Sequence, residues 1–333
     1  MTDLTTINAE LNTIELGLSQ VFKNITMFPL LRQDAKESNY LTLDEALDAG
    51  TARVTEVSEG GDVPELHFLN EGDIPVLLLD GEELVGAKQN RVLNLSILAP
   101  ANKSISIPVS CVEAGRWSYK SRNFSSSPRT MYSKGRAAKS AHVSRSLRET
   151  GTRRSDQSAL WENIAAKSER MSVASDTGAM SDIYESKEKG MKEFVERFRP
   201  IEGQIGAVFA IDNTISGVDL FDSPDTLEKV LPKLVRSYAL DAVETANPID
   251  DRTEREDARH FLQTLADSKF ESFQAVGLGE DLRIESTTIA GGALVAEGRT
   301  VHLWAFPLKS ENTSERGRVR SQIARSSRRK RMH

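Results

Sequence analysis

LLLDGEELVGAKQNRVLNLSILAPANKSISIPVSCVEAGRW, residues 77–117, sets short apolar runs between dense polar turns. Its apolar pieces, 76–79, 92–98 and 105–109, are rich in leucine and β-branched residues and are separated by Gly, Pro and Asn, the pattern of strands and turns. The stretch therefore predicts a mostly antiparallel β region. The polar residues fall at strand ends, where loops on a rigid sheet commonly carry function.

Upstream, Ile7, Leu11, Ile14 and Leu18 recur at helical spacing and predict an amphipathic helix over 4–20. A strand is expected over 25–30, and Thr42 with Glu45 forms a capping box for a short helix through 47. A strand over 53–57 follows, then a hairpin of 66–70 with 75–79 around Glu71-Gly72-Asp73. Downstream, 118–139 has few apolar residues and is expected to be a long loop. Helices are predicted over 141–147, 156–167 and 182–197, with Ser155 and Ser181 as caps of the last two.

From 205 a strand resumes, and Ser223-Pro224 announces a helix whose face carries Leu227, Val230, Leu231, Leu234, Val235, Tyr238 and Ala242. Pro232 interrupts its hydrogen bonding. A helix over 253–267 precedes strands near 270–276, 283–288, 292–296 and 300–306. The expected fold is α+β: a β-rich region with the polar block (1–117), a basic loop and helices (118–200), an α+β region (201–308) and a disordered basic tail (309–333). These regions would pack as one large domain or two intimate ones.

The chain has 333 residues, 38% hydrophobic content and a net charge of −6. The N-terminus lacks the basic and apolar parts of a secretory signal, and no apolar run reaches the ~18 residues of a membrane span. A cytoplasmic location without membrane contact is expected, and a homo-oligomer remains open. Cys111 is the single cysteine, so an intrachain disulfide and a multi-cysteine zinc site are excluded. Between 116 and 154 eleven Lys or Arg face one acid, Glu149, and arginines crowd 316–331. Such segregation attracts polyanions, nucleic acid or an acidic protein among them.

Glu82, Glu83 and Glu113 are the catalytic candidates. Adjacent residues of an extended segment face opposite ways, so one of Glu82 and Glu83 would join Glu113 as an acid–base pair or as oxygen ligands of a divalent cation such as Mg²⁺. Lys88, Gln89, Asn90 and Arg91 suit a phosphorylated sugar, with Arg116 on phosphate and Trp117 stacked on a base. No P-loop or dinucleotide fingerprint is present. The histidines lack zinc spacing, and Cys111 is expected to be a small buried apolar residue.

GEELVGAKQNR followed by IPVSCVEAGRW resembles a bacterial and archaeal family named for its association with ADP-ribosylglycohydrolases and rhodanese-phosphatase superfamily proteins. The resemblance continues through SDQSALW, GVDLF, LVRSYALDA and GGALVAEGRTVHLWAF. It implies a protein that binds or processes an ADP-ribose-type nucleotide in NAD-linked metabolism. The competing expectations are a binding module for nucleic acid or an acidic protein, using 116–154 and 316–331, and a structural or oligomerisation domain.

Overall fold

The computed structural model describes residues 2–58, 64–118, 121–245 and 253–308, so the tail expected from 309 lies outside the described residues. The N-terminal part runs α1 (Thr2–Thr13), β1 (Glu15–Leu16), β2 (Gln20–Phe22), β3 (Ile25–Leu31), β4 (Leu41–Thr42), α2 (Leu43–Asp48), β5 (Ala52–Glu56) and β6 (Glu65–Asn70). The polar block then forms β7 (Val76–Leu78), β8 (Glu82–Gly86), β9 (Arg91–Leu93), β10 (Ile97–Ala99) and β11 (Lys103–Cys111). Next come β12 (Phe124–Thr130), α3 (Ser133–Thr150), α4 (Gln157–Arg170) and α5 (Met180–Arg197). The chain continues with β13 (Gln204–Ile211), β14 (Thr214–Phe221), α6 (Pro224–Glu244), α7 (Arg255–Ala266), β15 (Lys269–Gln274), β16 (Glu280–Glu285), β17 (Ile289–Ala296) and β18 (Arg299–Pro307). The fold is α+β with a strand-rich N-terminal region.

Six strands close a barrel in the order β11-β6-β5-β12-β8-β9, with β9 pairing back to β11. Alternation decides its inside: Val54, Leu66 and Phe68 are buried, while Arg53 and His67 between them face out. The expected 66–70/75–79 hairpin does not form. β6 pairs β5 and β11, whereas β7 joins a separate three-stranded sheet with β10 and β4. The Asn70 side chain explains the departure. It accepts from the Gly72 N–H at 3.0 Å and donates to the Ile74 and Pro100 carbonyls at 2.9 and 3.1 Å, fixing a turn that leads the chain out of the barrel.

The helix expected over 4–20 ends at Thr13, and Leu18 is 83% exposed. Glu15 and Leu16 pair with β3 and the Gly17 N–H bonds the Pro29 carbonyl at 2.8 Å, so the edge of a sheet takes backbone groups a longer helix would have used. The long loop expected over 118–139 is replaced in its second half by β12 and the start of α3. β12 bonds along β8 and bulges between Ser126 and Thr130, and its few apolar side chains suffice because its backbone completes the barrel. The caps move by one residue in α4 and by two in α5. Asp156, rather than Ser155, caps α4, and Ala179 stands at the cap of α5. The capping box at Thr42 and Glu45 forms as expected.

Nine strands build the large antiparallel sheet, in the order β1-β3-β13-β14-β18-β17-β16-β15 with β2 beside β3. One face carries α1 and α7 through Ile7, Leu11, Phe261 and Leu265. The other carries α3 and α6. Covered on both sides, β13 and β17 are buried at every position and, after Gln204 at the start of β13, read as unbroken apolar and small residues. α6 lies between the sheet and β12 of the barrel, which is why its buried face is so wide. One hydrophobic cluster runs from Val54 and Leu84 in the barrel to Phe209 and Trp304 in the sheet. Among the described residues no helix is long and apolar enough to cross a membrane.

Candidate functional site at the barrel mouth

The β8–β9 hairpin turns through Gly86 at φ 134° and Ala87 at φ 39° at one end of the barrel. A Cβ at Gly86 would stand 2.6 Å from the Ser121 Oγ and 2.8 Å from the Asn123 carbonyl, so the close approach of β12 requires glycine. Register places Arg91 opposite Leu84 on one side and Cys111 on the other, and so on the same face of the wall as both. Lys88, Gln89, Asn90 and Arg91 are all buried. The polar tip of the hairpin is folded into the protein.

Glu113 organises the mouth. Its Oε2 accepts from the Asn90 N–H at 3.1 Å and from Arg116 Nη2 at 2.7 Å, and its Oε1 accepts from Thr177 Oγ1 at 3.1 Å. Gln89 Nε2 donates to the Glu113 carbonyl at 2.8 Å, and Arg116 also reaches the Ala87 carbonyl and Asn90 Oδ1. Trp117, 50% exposed, lies over this group, with Lys88 Nζ 5.1 Å and Arg91 Cζ 5.9 Å from its ring centre. All six binding candidates and Glu113 thus meet in one place. Gln157 of SDQSALW joins them from α4 by bonding both backbone polar groups of Cys111, each at 2.8 Å.

Arg91 is fully buried, yet only its Nη1 is engaged, on Gln89 Oε1 at 3.1 Å and the Asn90 carbonyl at 3.5 Å. Among the described residues its Nε and Nη2, which form one edge of the guanidinium, have no hydrogen-bond partner, and neither do Glu56 Oε2 and Arg116 Nε. Burial lowers the Arg91 pKa, partly offset by Cys111 and Glu56. Leaving such groups unpaired in the interior costs about 1–3 kcal/mol each, more for a charged one. An Nε–Nη2 edge is the fork that matches the two oxygens of a phosphate or carboxylate.

The other two glutamates sit apart. Glu82 pairs with Lys233 at 2.5 Å and accepts the Leu79 N–H, while Glu83 accepts from Ser127 Oγ and Arg129 Nε at 2.9 and 2.6 Å. They diverge as adjacent strand residues must, but neither bonds to a group of the mouth, so no carboxylate pair with Glu113 forms. Among the described residues no group of three or more His, Cys, Asp or Glu is placed to hold a metal ion. Cys111 is buried and its thiol pKa is pushed up by that burial, which keeps it protonated.

A second polar cluster went unread in the sequence. Arg136 donates to Asp80 Oδ2 at 3.0 Å and to both oxygens of Asp219 at 2.6 and 3.1 Å, tying barrel to sheet. Lys139 Nζ reaches Asp80 Oδ1 and the Asn94 carbonyl. Tyr238 Oη donates to Asp219, which also faces His302 Nε2 at 3.2 Å. Ser96 Oγ stands 2.7 Å from His302 Nδ1 and accepts the Asp80 N–H. Burial opposes ionisation of Asp219, but Arg136 and His302 hold its carboxyl below the usual range. A Ser, a His and an Asp in line would suit acyl transfer, but all three are sealed from solvent, and the cluster ties layers together. The signal available in sequence was the isolated acid in each of LLLDG and GVDLF.

Within the basic stretch 116–154, Arg116, Arg136 and Lys139 are buried, whereas Arg122, Lys134, Arg145, Arg148 and Arg154 are exposed. Arg116, Arg129, Arg136, Lys139, Arg148 and Arg153 are each paired with a carboxylate of the fold. The second basic segment, 316–331, lies outside the described residues.

A family model described as ARG and Rhodanese-Phosphatase-superfamily-associated Protein domain matches residues 13–306. No curated protein and no solved structure matches the chain.

Proposed function

Since the chain belongs to the ARG and Rhodanese-Phosphatase-superfamily-associated protein family, we propose that its barrel mouth binds an ADP-ribose-type nucleotide in NAD- or ADP-ribose-linked metabolism. The observation that carries this reading is the unpartnered Nε–Nη2 edge of Arg91, buried beside Arg116 and beneath Trp117. Phosphate oxygens would complete that edge once the half-exposed Trp117 above it moves aside, since Arg91 itself is fully buried. Lys88 would add a second positive charge, and the half-exposed indole offers a face on which adenine stacks. The family name, which links the chain to ADP-ribosylglycohydrolases, favours this nucleotide over other phosphate esters.

Binding is the part of the reading that the groups support. The donors on the two Glu113 oxygens are the Asn90 N–H, Arg116 and Thr177, all of them parts of the mouth itself, so Glu113 positions Asn90 and Arg116. Isothermal titration with ADP-ribose tests the proposal. Saturable heat from the wild type, weakened at least about tenfold in Arg91→Lys, is expected because an ammonium lacks the two-pronged edge. Absence of heat from folded protein would overturn it. Steep loss of nucleic-acid affinity with salt, if such binding were found instead, would mark the polyanion-binding alternative.

A further inference from the structure

A cleft of about 590 Å³ opens between α2 and β12 and is lined by Asp44, Asp48, Arg53, Asn123 and Ser125 to Pro128, with none of Lys88 to Arg91, Glu113, Arg116 or Trp117 in its lining. On its floor the partly exposed Ser126 hydroxyl donates to Asp44 Oδ1 and accepts from Lys233 Nζ at 3.0 Å. Lys233 comes from α6, is buried, and is held between Asp44 at 2.7 Å and Glu82 at 2.5 Å. One hydroxyl is thus gripped by an ammonium on its lone pair and a carboxylate on its proton, inside a cavity wide enough for a small molecule.

We infer that this cleft is a second, catalytic site in which Ser126 is a nucleophile toward small neutral or cationic esters. The ammonium stabilises negative charge developing on Oγ, and the carboxylate accepts the departing proton. Lys233 is not the base. Burial works against its charge, but Glu82 and Asp44 raise its pKa above the ordinary value and keep it protonated. Asp44, whose side chain is 42% exposed, accepts from the Ser126 hydroxyl and from Lys233 Nζ at 2.8 Å on Oδ1 and 2.7 Å on Oδ2, and it is the carboxylate of this group that lines the cleft.

In the forward step Oγ bonds to the ester carbonyl carbon while its proton passes to Asp44. The carbon–oxygen bond to the leaving alcohol breaks, and that oxygen takes the proton back from Asp44. Water then attacks the acyl-Ser126 carbon with Asp44 again accepting a proton, which returns to Oγ as the carboxylic acid leaves. Asp44 and Asp48 on the wall repel anionic acyl groups, which defines the substrate class by charge.

The test treats the full chain with a neutral alkyl fluorophosphonate and maps adducts by peptide mass spectrometry, beside p-nitrophenyl acetate hydrolysis. One adduct at Ser126 is expected, absent in Ser126→Ala, and formed at least about a hundredfold more slowly in Asp44→Asn, as loss of a positioned base commonly produces. Ester turnover should fall with the adduct in both variants. The inference is overturned by wild-type protein with a normal melting transition that takes no adduct at Ser126, or by Asp44→Asn that reacts as fast as wild type.

Discussion

Gly81 shows how a single position can bind two layers. Its φ is +77°, and a Cβ would stand 3.0 Å from Cγ of Arg136, so Gly81→Ala meets both a disfavoured backbone and a buried ion pair. A loss of roughly 1–3 kcal/mol is expected in urea unfolding, which combines those two strains. His302 supplies the pH test. Burial lowers its pKa despite Asp219, so the folded protein prefers the neutral ring while the unfolded chain takes up a proton near its ordinary value of about 6.5. The unfolded state therefore binds more protons below that pH, and this contribution to stability is lost as pH falls from about 6.5 through the lowered folded value. The melting temperature should drop between about pH 7 and pH 5, and His302→Gln should flatten that part of the profile. Residue identities in the mouth were legible because a run such as Lys88-Gln89-Asn90-Arg91 is unusual for a simple turn. Their burial was not, since it depends on Glu113, which bonds Asn90 and Gln89 from 23 and 24 positions away, and on Thr177, which bonds Glu113 in turn.

Elements with local causes were readable: the capping box of α2, Ser223-Pro224 before α6, and the Glu297-Gly298 turn between β17 and β18 with both residues at positive φ. β12 and α3 were not, because their justification is non-local. A serine-rich strand is stabilised by closing a barrel, and Arg136 and Lys139 on a polar helix are buried because their acids lie in β14 and before β8. Breaking that arrangement should cost more than any local propensity. Arg136→Ala leaves Asp219 buried without its guanidinium and Asp80 with Lys139 alone, and a loss of about 3–5 kcal/mol is expected in chemical denaturation. Pro232, exposed inside α6, works in the opposite direction. Pro232→Ala restores a helical N–H and should raise stability by about 1 kcal/mol in the same assay, the helical gain being offset by greater unfolded-chain entropy.

Barrel, α6 and large sheet share one apolar cluster, so they should unfold together. Calorimetry is expected to give a single transition with equal calorimetric and van't Hoff enthalpies. Two resolved transitions would mean that the barrel and the sheet are separate cooperative units. The Asp80–Arg136–Asp219 bridge also has a historical side. A lineage that changes one of these three positions must pass through a form with an unmatched interior charge. Replacement is therefore open only to paired or simultaneous changes, and across related chains the three positions should be inherited as a block, drifting together or not at all.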